Sequence, residues 1–67
     1  MKMTLKMLRA RDNLTQKEAA HLIGISPDTW SKWENAKSFP DVQKLKVIEE
    51  KFNIKYDDII FLSRITV

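Results

Sequence analysis

The sequence predicts an all-α fold, a compact domain of five short helices, and three kinds of observation lead there. Apolar residues recur at helical spacing in short segments, helix-capping residues precede those segments, and residues that tolerate a left-handed turn follow them. With 67 residues there is room for only one small core, so residues 1–67 are expected to form a single domain, its core at about 4–61 and a tail at 62–67. Hydrophobic residues at 43% and charged residues at 31% supply both a core and a soluble surface.

The first helix is expected over residues 4 to about 12, where Leu5 and Leu8 form an apolar edge and Asn13 can close the helix in a left-handed conformation. Thr15-Gln16-Lys17-Glu18 matches a capping box: the Thr15 hydroxyl accepts from the Glu18 amide while the Glu18 side chain reaches back to the Thr15 amide. The second helix therefore starts sharply there, buries Ala19, Ala20 and Ile23, and stops at Gly24, which takes positive φ at little cost. Ser26 caps the third helix and Pro27 fills its first position, where a missing amide does no harm. That helix runs over about 26–35, with Trp30 and Trp33 on the core face and Asp28, Ser31, Lys32 and Asn35 opposite.

Asp41 caps a fourth helix in which Val42, Leu45, Ile48 and Phe52 follow the helical period and Asn53 ends it. A short fifth helix from about Tyr56 is expected to bury Ile59 and Ile60. Ile65, Thr66 and Val67 suit a strand, while the preceding helix could also continue, so the tail has two readings.

Several functional classes are excluded. The chain has no cysteine and a single histidine, His21, so neither a disulfide framework nor a metal site is expected. Glu49, Glu50, Asp57 and Asp58 lack a facing histidine or a metal-loop spacing and read as surface charge. No catalytic constellation is present, so the expectation is a protein that is not an enzyme and takes no cofactor and no small-molecule ligand. No apolar stretch approaches the ~20 residues a membrane helix needs, so no membrane association and a cytoplasmic location are expected. Residues 1–37 hold seven basic and four acidic side chains, whereas 38–67 balance at five and five. The net charge of +3 thus lies in the first half, as suits a surface that faces a polyanion.

A capped helix, a turn on one glycine and a second helix opening with Ser-Pro together describe a helix-turn-helix. Counting from Gln16, small residues stand at positions four and five, glycine at nine, an apolar residue at ten, and bulky apolar residues at fifteen and eighteen. Ala19 and Ala20 are small where two steeply crossing helices touch. Leu8-Arg9, Leu14-Thr15-Gln16-Lys17-Glu18-Ala19-Ala20, Ile23-Gly24-Ile25-Ser26 and Trp33-Glu34-Asn35 resemble the phage repressor and Cro type, the XRE family of lambda-repressor-like domains.

The resemblance implies a five-helix domain that binds duplex DNA sequence-specifically, with helices two and three as the helix-turn-helix and the third as recognition helix. It implies base contacts from Pro27, Asp28, Ser31 and Lys32, and phosphate contacts from Thr15, Gln16, Asn35 and Lys37; apart from the resemblance, Lys17 could screen a phosphate or simply solvate its helix face. Gln16 is further implied to brace the recognition helix, and Arg9 with Glu34 to form a structural ion pair between helices one and three. In the major groove Lys32 could donate to guanine, Asp28 could accept from cytosine, and Pro27 offers only apolar contact. Two positions depart from the family pattern: Ala36 where glycine is usual after the recognition helix, and Lys55 at the usual cap of the fifth helix.

The leading expectation is a Cro-like transcriptional regulator from a phage or mobile element, acting as a homodimer on a two-fold symmetric operator. Phe61, Leu62, Ile65 and Val67 form the candidate dimer contact, or else close the core over helix one. Two alternatives stand beside it: the antitoxin of a toxin-antitoxin pair, and a protein-interaction module that keeps the helix-turn-helix scaffold without DNA binding.

Overall fold

The computed structural model describes residues 2–61. Thr4, Thr15, Ser26 and Asp41 sit in extended backbone, and each side chain accepts from the amide three residues on. They open α1 (Leu5–Arg11), α2 (Gln16–Ile23), α3 (Pro27–Glu34) and α4 (Val42–Phe52). At the far ends Asn13, Gly24, Ala36 and Asn53 take φ of 57°, 85°, 59° and 52°. The amide after each returns to a carbonyl five residues back: Leu14 to Arg9, Ile25 to Ala20 and Lys37 to Lys32 at 2.9 Å, and Ile54 to Glu49 at 3.1 Å. All four helices therefore stop on the same reversal, which satisfies carbonyls that would otherwise lack partners.

The fifth helix is not formed as expected. A single 3-10 turn at Tyr56–Asp58 stands in its place, followed by a strand at Ile59–Ile60 (β2) that pairs in parallel with Met3–Thr4 (β1), Met3 opposite Ile59 and Thr4 opposite Ile60. Two physical reasons combine. Lys55 gives no side-chain cap, and the β-branched isoleucines find a ladder partner in the start of the chain. The Glu49 carboxylate on α4 takes over the missing cap, accepting from the Tyr56 amide at 2.7 Å.

The core lies where the helices converge. Leu8, Ala19, Ala20, Trp30, Ile48 and Phe52 are fully enclosed, and Trp30 packs tilted against Trp33 at 6.1 Å and Phe52 at 5.9 Å between ring centroids. An aromatic side chain of this size removes about 150–250 Å² from water, worth at most roughly 4–6 kcal/mol by area. The methyl side chains of Ala19 and Ala20 let α3 lie close on α2, the most extensive contact between two helices. The expected burial of Ile60 fails, at 40% exposure, and Val42, though it follows the helical period, is 67% exposed. Val42 opens α4 ahead of the turns that reach the core, and Ile60 alternates outward along β2 from the buried Ile59. The tail assignments at residues 62–67 lie outside the described residues.

Candidate nucleic-acid interface

One carboxylate fixes α3 to the rest of the domain. Glu34, in the last turn of α3, is only 7% exposed, yet four donors converge on it. Arg9 donates from Nε to Oε2 at 2.7 Å and from Nη2 to Oε1 at 3.3 Å. Gln16 Nε2 donates to Oε1 at 3.1 Å, and the Trp30 indole N–H donates to Oε2. Arg9 Nη1 also donates to the Leu14 carbonyl at 3.1 Å, so the loop before α2 joins the same cluster. Burial on its own raises the Glu34 pKa. The hydrogen bonds from Arg9, Gln16 and Trp30, with the charge of Arg9, outweigh that and hold it below the ordinary carboxylate value. The Arg9–Glu34 ion pair of the sequence is thus a structural device, and Gln16 braces the third helix through it.

The opposite side of α3 faces outward. Pro27, Asp28 and Lys32 are exposed and Ser31 is half-buried, on the face away from the enclosed Trp30. Asp28 Oδ2 and Lys32 Nζ, one helical turn apart, lie at 3.3 Å with side chains 78% and 54% exposed. Asn35 Nδ2 donates to the Ser31 carbonyl at 2.9 Å and lies 3.4 Å from the Ser31 hydroxyl.

The candidate phosphate contacts fall into two groups. Thr15, Gln16 and Lys17 stand at the start of α2, while Asn35 and Lys37 follow the end of α3. The Thr15 hydroxyl accepts from the Glu18 amide at 3.1 Å, and Glu18 accepts from the Thr15 amide at 2.8 Å, closing the capping box. One N–H of the Gln16 amide is committed to Glu34 and the second is not. Lys17 and Lys37 are exposed and form no ion pair among the described residues.

Sequence reasoning missed three supporting contacts. The Trp30 N–H to Glu34 was accessible from the i, i+4 spacing, since a core tryptophan needs a polar partner. Arg11 Nη2 donates to the Phe52 carbonyl at 2.6 Å and ties α1 to the end of α4, and Glu49 caps the 3-10 turn. Both are tertiary contacts for which local spacing holds no signal. No group of three His, Cys, Asp or Glu side chains is placed to hold a metal ion among the described residues. No helix among them is long and apolar enough to cross a membrane.

A short capped helix, a reversal on Gly24 and a second helix locked by its last turn and exposed along its outer face define a helix-turn-helix domain. The comparisons agree: a family profile described as helix-turn-helix matches residues 5–59, and the chain belongs to that family. Over 56 residues, 84% of this chain, it is 39% identical to antitoxin PezA of Streptococcus pneumoniae serotype 4. It is 36% identical, over the same share, to the transcriptional activator BcrR of Enterococcus faecalis. A further match, 35% identical over 76% of the chain, is the type II methyltransferase M.MspI of a Moraxella species. The chain spans only 35%, 28% and 12% of the lengths of these relatives. No solved structure matches it significantly.

Proposed function

We propose that this domain is a Cro- or repressor-like transcriptional regulator that docks α3 in the major groove of a duplex operator. The observation that carries the reading is the two-sided character of α3. One side is immobilised by Glu34 and the buried tryptophans, and the other presents Pro27, Asp28, Ser31 and Lys32 to solvent. Base reading needs a rigid element with exposed polar side chains. Thr15, Gln16, Lys17, Asn35 and Lys37 flank that face and are assigned to phosphates, which position the domain without reading sequence. The activator BcrR, with which the chain shares 36% identity, supports a regulatory role. The segment shared with the methyltransferase is 12% of that protein, so the likeness carries no methyltransferase activity over to this domain.

The reading includes a homodimer on a two-fold symmetric site, because one module this small makes few base contacts. An apolar surface suited to a second copy surrounds Phe61, whose ring lies 6.1 Å from Phe39 and 6.5 Å from Tyr56. Phe39 is 57% exposed, Tyr56 51%, and Val42 lines the same groove as Tyr56. The candidate tail contacts Leu62, Ile65 and Val67 follow directly in sequence but lie outside the described residues. A second reading, the DNA-binding part of an antitoxin, is favoured by the 39% identity to PezA.

The test is selection of bound duplexes from a random DNA library by the purified chain. Enrichment of a two-fold symmetric site supports the dimeric regulator, and an asymmetric site removes the dimer. If no duplex enriches at any salt concentration, DNA binding is wrong and the protein-interaction module takes its place.

A further inference from the structure

We propose that Asp28 and Lys32 act together as one reader of guanine and cytosine: Lys32 over the guanine, Asp28 over the cytosine, and Asp28 the residue that rejects other duplexes. The proposal rests on the reading of α3 as a DNA-recognition helix and gives that helix its base preference.

The charged and most exposed hydrogen-bonding groups of the outward face are this pair. Pro27 has no donor, Thr29 Oγ1 shares a hydrogen bond with Ser26 Oγ at 2.9 Å, and the half-buried Ser31 hydroxyl takes only a long contact from Asn35 Nδ2 at 3.4 Å and keeps its own O–H. Asp28 and Lys32 are bonded to each other at 3.3 Å and open to solvent on their other sides. An exposed pair at this spacing holds weakly, so it can open when better partners arrive.

The chemistry of the pair selects its complement. An ammonium only donates and a carboxylate only accepts. Guanine presents N7 and O6 as acceptors in the major groove, and its paired cytosine presents the N4 donor beside them. An A·T pair instead sets its single donor between two acceptors. The two side chains stem from positions about 6 Å apart along the helix axis, from the ~1.5 Å rise per residue. Guanine and cytosine can therefore belong to one base pair or to two adjoining ones.

On any other duplex the pair has poor choices. If Lys32 turns to a phosphate, the Asp28 carboxylate is left uncompensated beside a polyanion. If the pair stays closed, it releases no counterion. Either way Asp28 lowers binding to the wrong DNA, which makes it a device of discrimination rather than of affinity.

The experiment uses the full chain as wild type, Asp28→Asn, Asp28→Ala and Lys32→Ala, with circular dichroism to verify that each variant is folded. Both residues are exposed, so no loss of fold is expected. Each protein selects duplexes from one library with a random central segment. The wild type should enrich a guanine and a cytosine at fixed positions in each half-site. Asp28→Ala should lose the cytosine requirement, and Lys32→Ala the guanine. On unselected random duplex Asp28→Asn should bind more tightly than wild type, with a salt slope steeper by about 0.9 as Lys32 is released to a phosphate.

The sharpest arm replaces the selected cytosine with N4-methylcytosine, whose methyl group takes the place of the major-groove hydrogen. Wild type should lose on the order of tenfold in affinity, and Asp28→Ala should be indifferent. Equal losses for both proteins, or the same enriched site for wild type and Asp28→Ala, would overturn the proposal and leave the pair as a helix-stabilising contact. A wild type that enriches nothing would overturn the DNA-binding reading itself, a result distinct from a selected site indifferent to Asp28.

Discussion

The Arg9 guanidinium on α1 grips the Glu34 carboxylate on α3 through two hydrogen bonds, 2.7 Å and 3.3 Å long, with side chains 18% and 5% exposed. Removing one partner of such a pair is more harmful than never having had it. Glu34→Ala strands the Arg9 charge and leaves the enclosed Trp30 N–H without an acceptor, so it should cost about 3 kcal/mol. Folded domains have only ~5–15 kcal/mol in hand, so the loss should show as a large fall in the urea midpoint. A midpoint within a few tenths of a molar of wild type would mean that the cluster contributes little.

The same carboxylate sets an acid limit. Its pKa is lowered in the folded chain, because the hydrogen bonds and the Arg9 charge overcome the opposing effect of burial. A depressed carboxyl contributes stability that is complete above its unfolded value, about 4.3, and is lost as pH falls through the lower folded value. Asp12 is also lowered, by its hydrogen bonds from Arg11, and acts in the same direction. The urea midpoint should hold steady from neutral pH to about 5 and fall below that. Glu34→Gln should flatten the acid fall, whereas Asp12→Asn should change it little, since Asp12 is on the surface.

Ala36 takes φ of 59° at the end of α3, a conformation that suits glycine. The Cβ there crowds the following carbonyl by about 1–2 kcal/mol, partly offset by the greater entropy that glycine has in the unfolded chain. Ala36→Gly should therefore stabilise the domain by about 0.5–1 kcal/mol. The return bond from the Lys37 amide to the Lys32 carbonyl at 2.9 Å should persist and protect that amide in hydrogen exchange. Destabilisation by Ala36→Gly would mean that the alanine methyl makes a contact worth more than the strain.

What was legible in the sequence was mostly local. Thr15, Ser26 and Asp41 announce helix starts because each cap is satisfied within three residues, and Asn13, Gly24 and Asn53 announce stops because φ is a property of one residue. The third helix was legible for the same reason, with Trp30 and Trp33 on one side and Asp28 and Lys32 on the other. Ile59 and Ile60 were misread as helical because their pairing with Met3 and Thr4 joins the two ends of the chain, which no window of local periodicity spans. Val42 fits the helical period of its segment yet stays exposed, since the period gives the face and not how far the neighbouring helices extend along it. The braced face of α3 was half legible: the Arg9–Glu34 pairing and a bracing role for Gln16 came with the family pattern, and the i, i+4 spacing could have given the Trp30 bond, while the choice of Glu34 as the acceptor for Gln16 needed the fold.

Val42 offers a clean test of the dimer. At 67% exposure it contributes little to the core, and an acidic residue in the first turn of α4 suits the helix dipole. Val42→Asp should leave the monomer folded and put two like charges into the apolar surface around Tyr56 and Phe61. Sedimentation equilibrium should show a concentration-dependent dimer for wild type and a monomer for the variant. A wild type that stays monomeric at all concentrations, with and without operator, would remove the dimer.

Gln16, Lys17 and Lys37 can be separated by their response to salt. Gln16 is neutral: one amide N–H goes to Glu34 at 3.1 Å, and the other is assigned to a phosphate. A neutral donor adds affinity without displacing a counterion, whereas each lysine that neutralises a phosphate steepens the slope of log K against log salt by about 0.9. Gln16→Ala should thus weaken specific and random duplexes by the same factor and leave the slope unchanged. Lys17→Ala and Lys37→Ala should each make the slope shallower by about 0.9 and also leave base preference intact. A slope that does not move for either lysine would assign both to solvent. A change in base preference for Gln16→Ala would mean that Gln16 acts through the position of α3, because the hydrogen bond it loses to Glu34 is the one that reaches the recognition helix.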